Sequence, residues 1–311
     1  MDQKIKYMNI CVTNRCDLTC VMCDIWKEKN KSDLSIDTVK KILDAQCLDE
    51  KLDITLTGGE LFLHKGWGQI TDAILTKNPQ WLKGISTNGT RKDDVLRFLH
   101  DFSKRLPSDF SFHISLDGIN CHDAQRGKSL GKVIDTIHAI KDFHPTFGIK
   151  IKFTITAVNY TDIIPTFRFC QENRLDFKAK LVEYAENYTN RLDRRAFMFD
   201  DAAKRAIIRD LIEVSKEKFR SRDGNAAFIV NTIRYLQGDH RRAVCKVPSQ
   251  RVFLMPEGDV FTCIHFPKIG NLRNKSLDKI WTFSTAEKHR DTVKQEGCPG
   301  CISYHGVTHV L

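Results

Sequence analysis

Six apolar or alternating runs, each followed by an amphipathic stretch, constrain the fold of this chain more than any other feature. Strands are predicted near residues 5–13, 52–57, 82–87, 110–117, 150–157 and 177–183. Helices are predicted near residues 36–46, 67–78, 92–104, 130–143, 160–173 and 200–219. Such alternation is typical of a parallel sheet with crossover helices. We therefore predict an α/β fold, a partial (βα)6 TIM-like barrel whose chemistry lies at the carboxyl ends of its strands.

Three cysteines, Cys16, Cys20 and Cys23, follow the first predicted strand in the spacing C-x3-C-x2-C. Three thiolates on one short loop can hold three corners of a [4Fe–4S] cube and leave the fourth iron open to a ligand. A structural zinc site is the alternative, but zinc modules usually pair C-x2-C with a second Cys or His pair. No such pair follows closely after Cys23. The spacing therefore favours an iron–sulfur site.

Further motifs follow the next strands in order. Gly58-Gly59-Glu60 follows the second predicted strand, and Ser86 to Gly89 follows the third. Ser115-Leu116-Asp117-Gly118 ends the fourth, with His122, Asp123, Arg126 and Gly127 just beyond. Each motif alone is an ordinary turn signal. Together, after the cysteine triplet, they resemble the radical S-adenosylmethionine (radical SAM) superfamily over roughly the first 185 residues.

The resemblance implies a set of cofactor contacts. Cys16, Cys20 and Cys23 would hold the [4Fe–4S] cluster, and Gly58, Gly59 and Glu60 would bind the methionine amino group. The ribose or carboxylate would be bound by Asn88, Ser115 and Asp117, with Arg126 on the methionine carboxylate. An external electron donor such as flavodoxin or ferredoxin would reduce the cluster. Cleavage of S-adenosylmethionine would then give a 5′-deoxyadenosyl radical that abstracts hydrogen from the substrate.

A second cysteine set lies in the last quarter of the chain. Cys245, Gly258 and Cys263 stand in the spacing C-x12-G-x4-C, and Cys298 and Cys301 close the set as C-x2-C. Residues 252–263 between them read as a β-hairpin. The pattern resembles the twitch form of the SPASM domain, which implies a second, auxiliary [4Fe–4S] cluster. A zinc knuckle is the alternative. We expect a barrel over residues 1–220 and the auxiliary iron–sulfur extension, a small hairpin and helix, over 221–311.

Composition limits the partners and the compartment. The 311 residues carry a formal charge of +10, which indicates either a solvated basic surface or a phosphorylated or otherwise anionic small-molecule substrate. The basic residues are scattered, which disfavours nucleic acid. No membrane span is expected, because no apolar run is long enough. The absence of a signal peptide and the metal-type spacing of most of the eleven cysteines predict a cytoplasmic protein.

The reaction itself stays open at this level. We favour oxidation of a small sugar- or cyclitol-like molecule, with the auxiliary cluster accepting the second electron. Radical epimerisation or rearrangement is an alternative, with Cys121 as hydrogen donor because it follows a strand end. Peptide modification is a third, disfavoured because the chain begins close to its first strand. A GTP cyclase ranks low, since the chain ends in Thr308 to Leu311 without Gly-Gly. A zinc-containing nucleic-acid-binding protein is the remote alternative.

Overall fold

The computed structural model describes residues 4–144, 147–184, 198–221, 226–239, 247–263, 265–282, 286–288 and 291. Of the four predicted auxiliary ligands, Cys263 is described, whereas Cys245, Cys298 and Cys301 lie outside these residues. Within the described ranges, no helix has the length and apolar character needed to cross a membrane.

Strands and helices alternate along the chain. The strands are β1 (Ile5–Cys11), β2 (Leu48–Thr57), β3 (Leu82–Thr87), β4 (Ser111–Ser115), β5 (Gly148–Ile155), β6 (Asp176–Leu181), β7 (Arg251–Leu254), β8 (Asp259–Phe261) and β9 (Gly270–Asn271). The helices are α1 (Ile36–Leu43), α2 (Trp67–Lys77), α3 (Lys92–Phe102), α4 (His122–Arg126), α5 (Leu130–Phe143), α6 (Ile163–Glu172), α7 (Asp201–Arg220), α8 (Ala226–Leu236), α9 (Val247–Gln250) and α10 (Leu277–Thr282).

The strands form one sheet in the order β6-β5-β4-β3-β2-β1-β7-β8-β9. Neighbouring strands from β6 to β1 are parallel, as crossover helices require. The predicted partial TIM-like barrel of six βα units is therefore confirmed. Since parallel strands share one carboxyl end, the loops after β1, β2, β3 and β4 meet at one edge, and these loops carry the predicted motifs.

The C-terminal hairpin extends the barrel sheet. Strand β7 pairs in parallel with β1, with Tyr7 opposite Arg251 and Ile10 opposite Leu254. Strand β8 then returns antiparallel to β7, as the hairpin prediction requires. Sheet pairing thus crosses the boundary predicted after residue 220, where α7 ends, and that domain division stays a prediction.

The two faces of the sheet differ sharply in polarity. On the outer face, the register row Ile85, Phe112 and Ile149 is buried in the hydrophobic core with residues of the surrounding helices. The adjacent row on the inner face holds Ser86, His113 and Lys150, all half-buried. Alternation along each strand produces this division. The interior of the partial barrel is therefore lined with groups that can contact a polar ligand.

Some element bounds differ from those predicted. Strand β2 begins at Leu48, four residues earlier than the apolar run, because Leu48 pairs with Ile5 of β1. Helix α4 was not predicted, since five residues carry too little periodicity to be recognised. Helix α8, which packs against α7 and β6, was also missed.

Phe98 lies at the centre of the aromatic part of the core and is 0% exposed. Its ring lies near those of Phe62, Phe110 and Phe112, with centroids 5.8–6.4 Å away. We expect Phe98→Ala to lower the free energy of unfolding by about 3–5 kcal/mol, because a cavity replaces these contacts. Urea unfolding followed by circular dichroism measures the loss. The control Phe219→Ala removes a ring that is 56% exposed and should change stability by no more than about 0.5 kcal/mol.

Candidate functional site

The loop that carries the cysteine triplet is joined to the Gly58–Glu60 turn through the backbone. The amide of Gly59 donates to the carbonyl of Thr13 at 2.7 Å, and the amide of Glu60 donates to the carbonyl of Arg15 at 2.7 Å. These bonds continue the parallel pairing of β1 and β2 beyond the strand ends. They fix the backbone immediately before Cys16.

This close approach requires glycine in the turn. A Cβ atom on Gly59 would lie 2.3 Å from the carbonyl oxygen of Arg15 and 3.0 Å from the Cβ of Cys16. A Cβ on Gly58 would lie 2.9 Å from the carbonyl oxygen of Thr13. The carbonyl oxygens of Arg15 and Thr13 are backbone atoms that cannot move without shifting the cysteine loop. The Gly-Gly pair is therefore a packing requirement of the cysteine loop.

Other elements hold the rest of the cysteine loop. The side-chain amide nitrogen of Asn88, after β3, donates to the carboxylate of Asp17 at 2.7 Å. The amide of Val21 donates to the carbonyl of Gln125 in α4 at 3.0 Å. Loops after β2, β3 and β4 thus converge on one short segment. Asn88 was predicted to contact the ribose or carboxylate of S-adenosylmethionine; that role stays a prediction, and its bond to Asp17 was not foreseen.

The three thiols have the character of cluster ligands. Among the cysteines that the structure describes, none forms a disulfide. Burial raises the pKa of Cys16 to about 12 and also raises that of Cys20. A bound cation is needed to hold such thiols as thiolates at neutral pH. No three His, Cys, Asp or Glu side chains within the described ranges converge on a single ion. A cube does not need that convergence, because it binds each thiolate at a different iron.

The carboxylate of Glu60 is turned into the protein and is 1% exposed. It accepts from the Thr87 hydroxyl at 2.8 Å and from the Asn88 amide at 2.7 Å. Burial raises the pKa of Glu60 to about 7, against the effect of these hydrogen bonds. The side chain therefore joins the loops after β2 and β3. Since both carboxylate oxygens are engaged, its predicted contact with the methionine ammonium stays a prediction.

Asp117 and Arg126 form a buried ion pair beside the cysteine loop. The Arg126 Nε donates to one carboxylate oxygen of Asp117, which is 0% exposed, and Nη1 lies 3.7 Å from the sulfur of Cys20. The backbone amide of Thr154 donates to the other oxygen of Asp117 at 2.6 Å. A positive charge is thus held against a predicted cluster ligand. The roles of Asp117 and Arg126 toward S-adenosylmethionine stay predictions.

His122 holds the loop after β4 in place. Its Nδ1 accepts from the backbone amide of Asp117 at 3.1 Å, and its Nε2 lies 3.0 Å from the Ser129 hydroxyl. Burial, with Arg126 nearby, lowers the pKa of His122 to about 4. The neutral imidazole therefore carries its proton on Nε2 and donates to Ser129. The histidine of the predicted motif has a positioning role that sequence alone did not define.

Ser115 and Cys121 lie in different surroundings. The half-buried hydroxyl of Ser115 has no hydrogen-bond partner among the described residues and is open to a ligand. Cys121 is hydrogen-bonded to Asp162 through its backbone amide, at 2.7 Å. Its thiol has Thr161 and Asp162 as polar neighbours, and burial raises its pKa. These contacts do not join Cys121 to the cysteine triplet, and its role as hydrogen donor stays a prediction.

A carboxylate missed at the sequence level links the two ends of the sheet. Glu183, just after β6, lies 3.8 Å from the Nε2 of His265 in the C-terminal extension. Burial alone would raise the pKa of Glu183, but Lys180 and His265 lower it to about 2. His265 lies two residues after Cys263. The segment of this predicted auxiliary ligand is thus held near the carboxyl end of β6.

Comparison with known protein families matches this architecture. Residues 10–170 match the radical SAM superfamily, and residues 245–302 match the SPASM family, an iron–sulfur cluster-binding domain. The chain belongs to the radical SAM superfamily and is a radical SAM enzyme with a SPASM domain. It therefore binds a [4Fe–4S] cluster and S-adenosylmethionine, with auxiliary iron–sulfur binding in the C-terminal region.

Individual relatives are distant. The chain is 25% identical over 293 residues to the antilisterial bacteriocin subtilosin biosynthesis protein AlbA of Bacillus subtilis. The alignment covers 89% of this chain and 59% of AlbA. It is 22% identical to a GTP 3′,8-cyclase of Aliarcobacter butzleri, over 88% of this chain and 84% of that protein. The fold is similar to Streptococcus suis SuiB bound to S-adenosylmethionine, with a TM-score of 0.68 and 18% identity over 93% of this chain and 68% of SuiB.

We expect Gly59→Ala to lose most of the cluster bound by the triplet, because its methyl group would displace the backbone of Arg15 beside Cys16. Iron and sulfide content after anaerobic reconstitution measures the loss. Gly68→Ala is the control, since a Cβ there meets nothing within 4 Å. Wild-type iron content in Gly59→Ala would show that the close approach is not needed.

Replacement of Arg126 tests its charge against Cys20. We expect Arg126→Gln to lower the midpoint potential of the cluster, because a nearby cation stabilises the more negative reduced state. Potentiometric titration followed by electron paramagnetic resonance measures the shift. Arg97→Gln, which removes a surface guanidinium on α3, is the control. An unchanged potential in a variant with full cluster content would contradict this role.

Proposed function

We propose that this radical SAM enzyme oxidises a small organic substrate held inside the barrel, with the auxiliary centre accepting the second electron. The predicted substrate, a sugar- or cyclitol-like alcohol, has no counterpart among the relatives named above. The proposed substrate is therefore a small organic molecule with an accessible C–H bond, of any carbon skeleton.

The contact between Glu183 and His265 carries the proposal. It supports a location of the Cys263 segment near the carboxyl end of β6, at the same edge of the sheet as the cysteine triplet. An electron acceptor near the substrate suits a reaction that removes two electrons. A redox-neutral reaction has no need of one.

The chain's own residues hold the reacting groups in place. When bound, the cluster and S-adenosylmethionine supply one-electron chemistry that removes a hydrogen atom from carbon. The Gly58-Gly59 backbone fixes the cysteine loop, and the open hydroxyl of Ser115 offers a hydrogen bond to the cofactor. Arg126 places a cation beside Cys20. Positioning and the exclusion of water are the protein's contribution.

Peptide modification is the second candidate. The similarity to AlbA, a bacteriocin biosynthesis protein, extends over 89% of this chain and favours it. SuiB, whose fold is similar, has been determined with its precursor peptide SuiA bound. Epimerisation by Cys121 has less support, because the described contacts of that thiol lead to Thr161 and Asp162.

The variant Cys263→Ser separates the two iron–sulfur sites. Reconstituted protein with dithionite should convert S-adenosylmethionine to 5′-deoxyadenosine without substrate, in both wild type and Cys263→Ser. With pooled small metabolites in deuterium oxide, wild type should form one 5′-deoxyadenosine per product two hydrogens lighter, without solvent deuterium. Cys263→Ser should form no such product, because the second electron has no acceptor. Mass spectrometry measures both products.

The matched control replaces Cys16, Cys20 and Cys23 together by Ala, which should abolish both activities. A product one mass unit heavier than the substrate, with one solvent deuterium on carbon and no loss of hydrogen, would contradict oxidation and indicate epimerisation. Full product formation by Cys263→Ser would remove the auxiliary centre from the reaction. Modification of a synthetic peptide, without turnover of the small metabolites, would favour the second candidate.

A further inference from the structure

Four lysines line the inner face of the barrel at its β6 edge. Lys150 and Lys152 lie on β5, and Lys178 and Lys180 lie on β6; we call these four residues the lysine row. Lys152 is directly opposite Lys178, and Lys180 is opposite Thr154. All four side chains are half-buried. Like charges directly opposite one another on neighbouring strands are destabilising.

The alternation along β5 shows which face the row occupies. Ile149, Ile151 and Phe153 are at most 5% exposed and belong to the hydrophobic core under the helices. The lysines between them point to the opposite, inner face. These four charges therefore do not belong to a solvated outer surface of the protein.

Charged side chains on other strands share the inner face with the lysine row. The carboxylate of Asp53 on β2 interacts electrostatically with Arg251 on β7, Lys83 on β3 and Lys150 on β5. Burial raises the pKa of Asp53, and these three cations oppose the shift. Lys150 and Asp53 are therefore close enough to interact across the inner face of the sheet.

Carboxylates in the barrel neutralise only part of the lysine row. Lys178 pairs with Asp176 at 2.7 Å, and Lys180 pairs with Glu183. Across the described ranges, neither Lys150 nor Lys152 forms an ion pair with any residue. Two ammonium groups on one strand thus lack a direct ion pair among the described residues, although Asp53 acts on Lys150 and Asp176 acts on Lys152 from a longer distance. Asp176 does not neutralise Lys150 and Lys152, because its carboxylate pairs with Lys178 and also lies 3.5 Å from the ammonium group of Lys218 in α7.

Lys152 is the most strongly affected member of the row. Burial, together with the charges of Lys150, Lys178 and Lys180, lowers its pKa to about 8, and Asp176 opposes the shift. At neutral pH the group still carries its proton. A half-buried cation among cations costs folding free energy that an anionic ligand can recover.

The row adjoins the predicted S-adenosylmethionine site. Lys152 pairs in register with Ser115 of β4, whose hydroxyl is open to a ligand. Two residues further along β5, the Thr154 amide donates to Asp117, the partner of Arg126. A ligand on the lysine row would therefore lie next to the groups predicted to hold the cofactor.

We propose that the lysine row binds a phosphate group of the substrate, so that the substrate is a phosphorylated small molecule. Lysine ammonium groups act as point charges that suit phosphate, whereas carboxylates are more often held by the arginine fork. Two cations without a direct ion pair match the double charge of a phosphate monoester or diphosphate. This inference rests on the proposed function only in assuming that the barrel interior holds the substrate.

Inorganic pyrophosphate is the probe, titrated into the reconstituted protein at pH 7 and followed by isothermal titration calorimetry. We expect one site, with affinity about tenfold or more lower in Lys150→Met and in Lys152→Met, because each loses a charge-assisted contact. Lys104→Met removes an exposed lysine outside the barrel and should bind as wild type. Citrate, a tricarboxylate, should bind much more weakly than pyrophosphate.

Stability gives an independent measurement. Lys152→Met should unfold at a higher urea concentration than wild type, because it removes a cation from a row of like charges. Lower stability in Lys152→Met would contradict this repulsion among like charges. Absence of pyrophosphate binding by wild type, or equal binding by citrate, would overturn the phosphate site. Neither measurement needs turnover, so such a failure leaves the test of oxidation through Cys263→Ser unaffected.

Discussion

Two backbone hydrogen bonds, from Gly59 to Thr13 and from Glu60 to Arg15, are the constraint on which the site depends. They extend the pairing of β1 and β2 past the ends of both strands. They form only because residue 59 has no side chain, since a Cβ there would lie 2.3 Å from the carbonyl oxygen of Arg15. The position of Cys16 follows from this backbone contact, whereas bonds from Asn88 and to Gln125 hold the loop beyond it.

The charges around the site follow from the same architecture. An open barrel presents one face of each strand to its interior, and this chain fills that face with polar and ionised groups. Some are paired inside the protein, as Asp117 is with Arg126. Others, such as Lys150 and Lys152, are left unpaired among the described residues. Paired charges hold the loops in position, whereas unpaired charges are a cost that only a bound ligand offsets.

Sequence patterns predicted the elements well and the side-chain partners poorly. Strand β3 and helix α5 have the predicted bounds, because local periodicity and the flanking turns define both. The predicted contact of Glu60 with the cofactor stays a prediction, and its hydrogen bonds to Thr87 and Asn88 were not foreseen. A motif tells which residues gather at a strand end. It does not tell which of two nearby donors a carboxylate will reach, since that depends on distances between separate loops.

The sequence by itself determined the six βα units, the cysteine triplet and the alternation that puts Lys150 and Lys152 on one face of a strand. These are local properties, carried by residues close together in the chain. Only the tertiary structure decided that β7 pairs with β1, that Glu183 lies near His265 and that the lysine face is the one opposite the buried core. Such choices join residues far apart in sequence. They are set by sheet order and curvature, which arise from the packing of the whole chain.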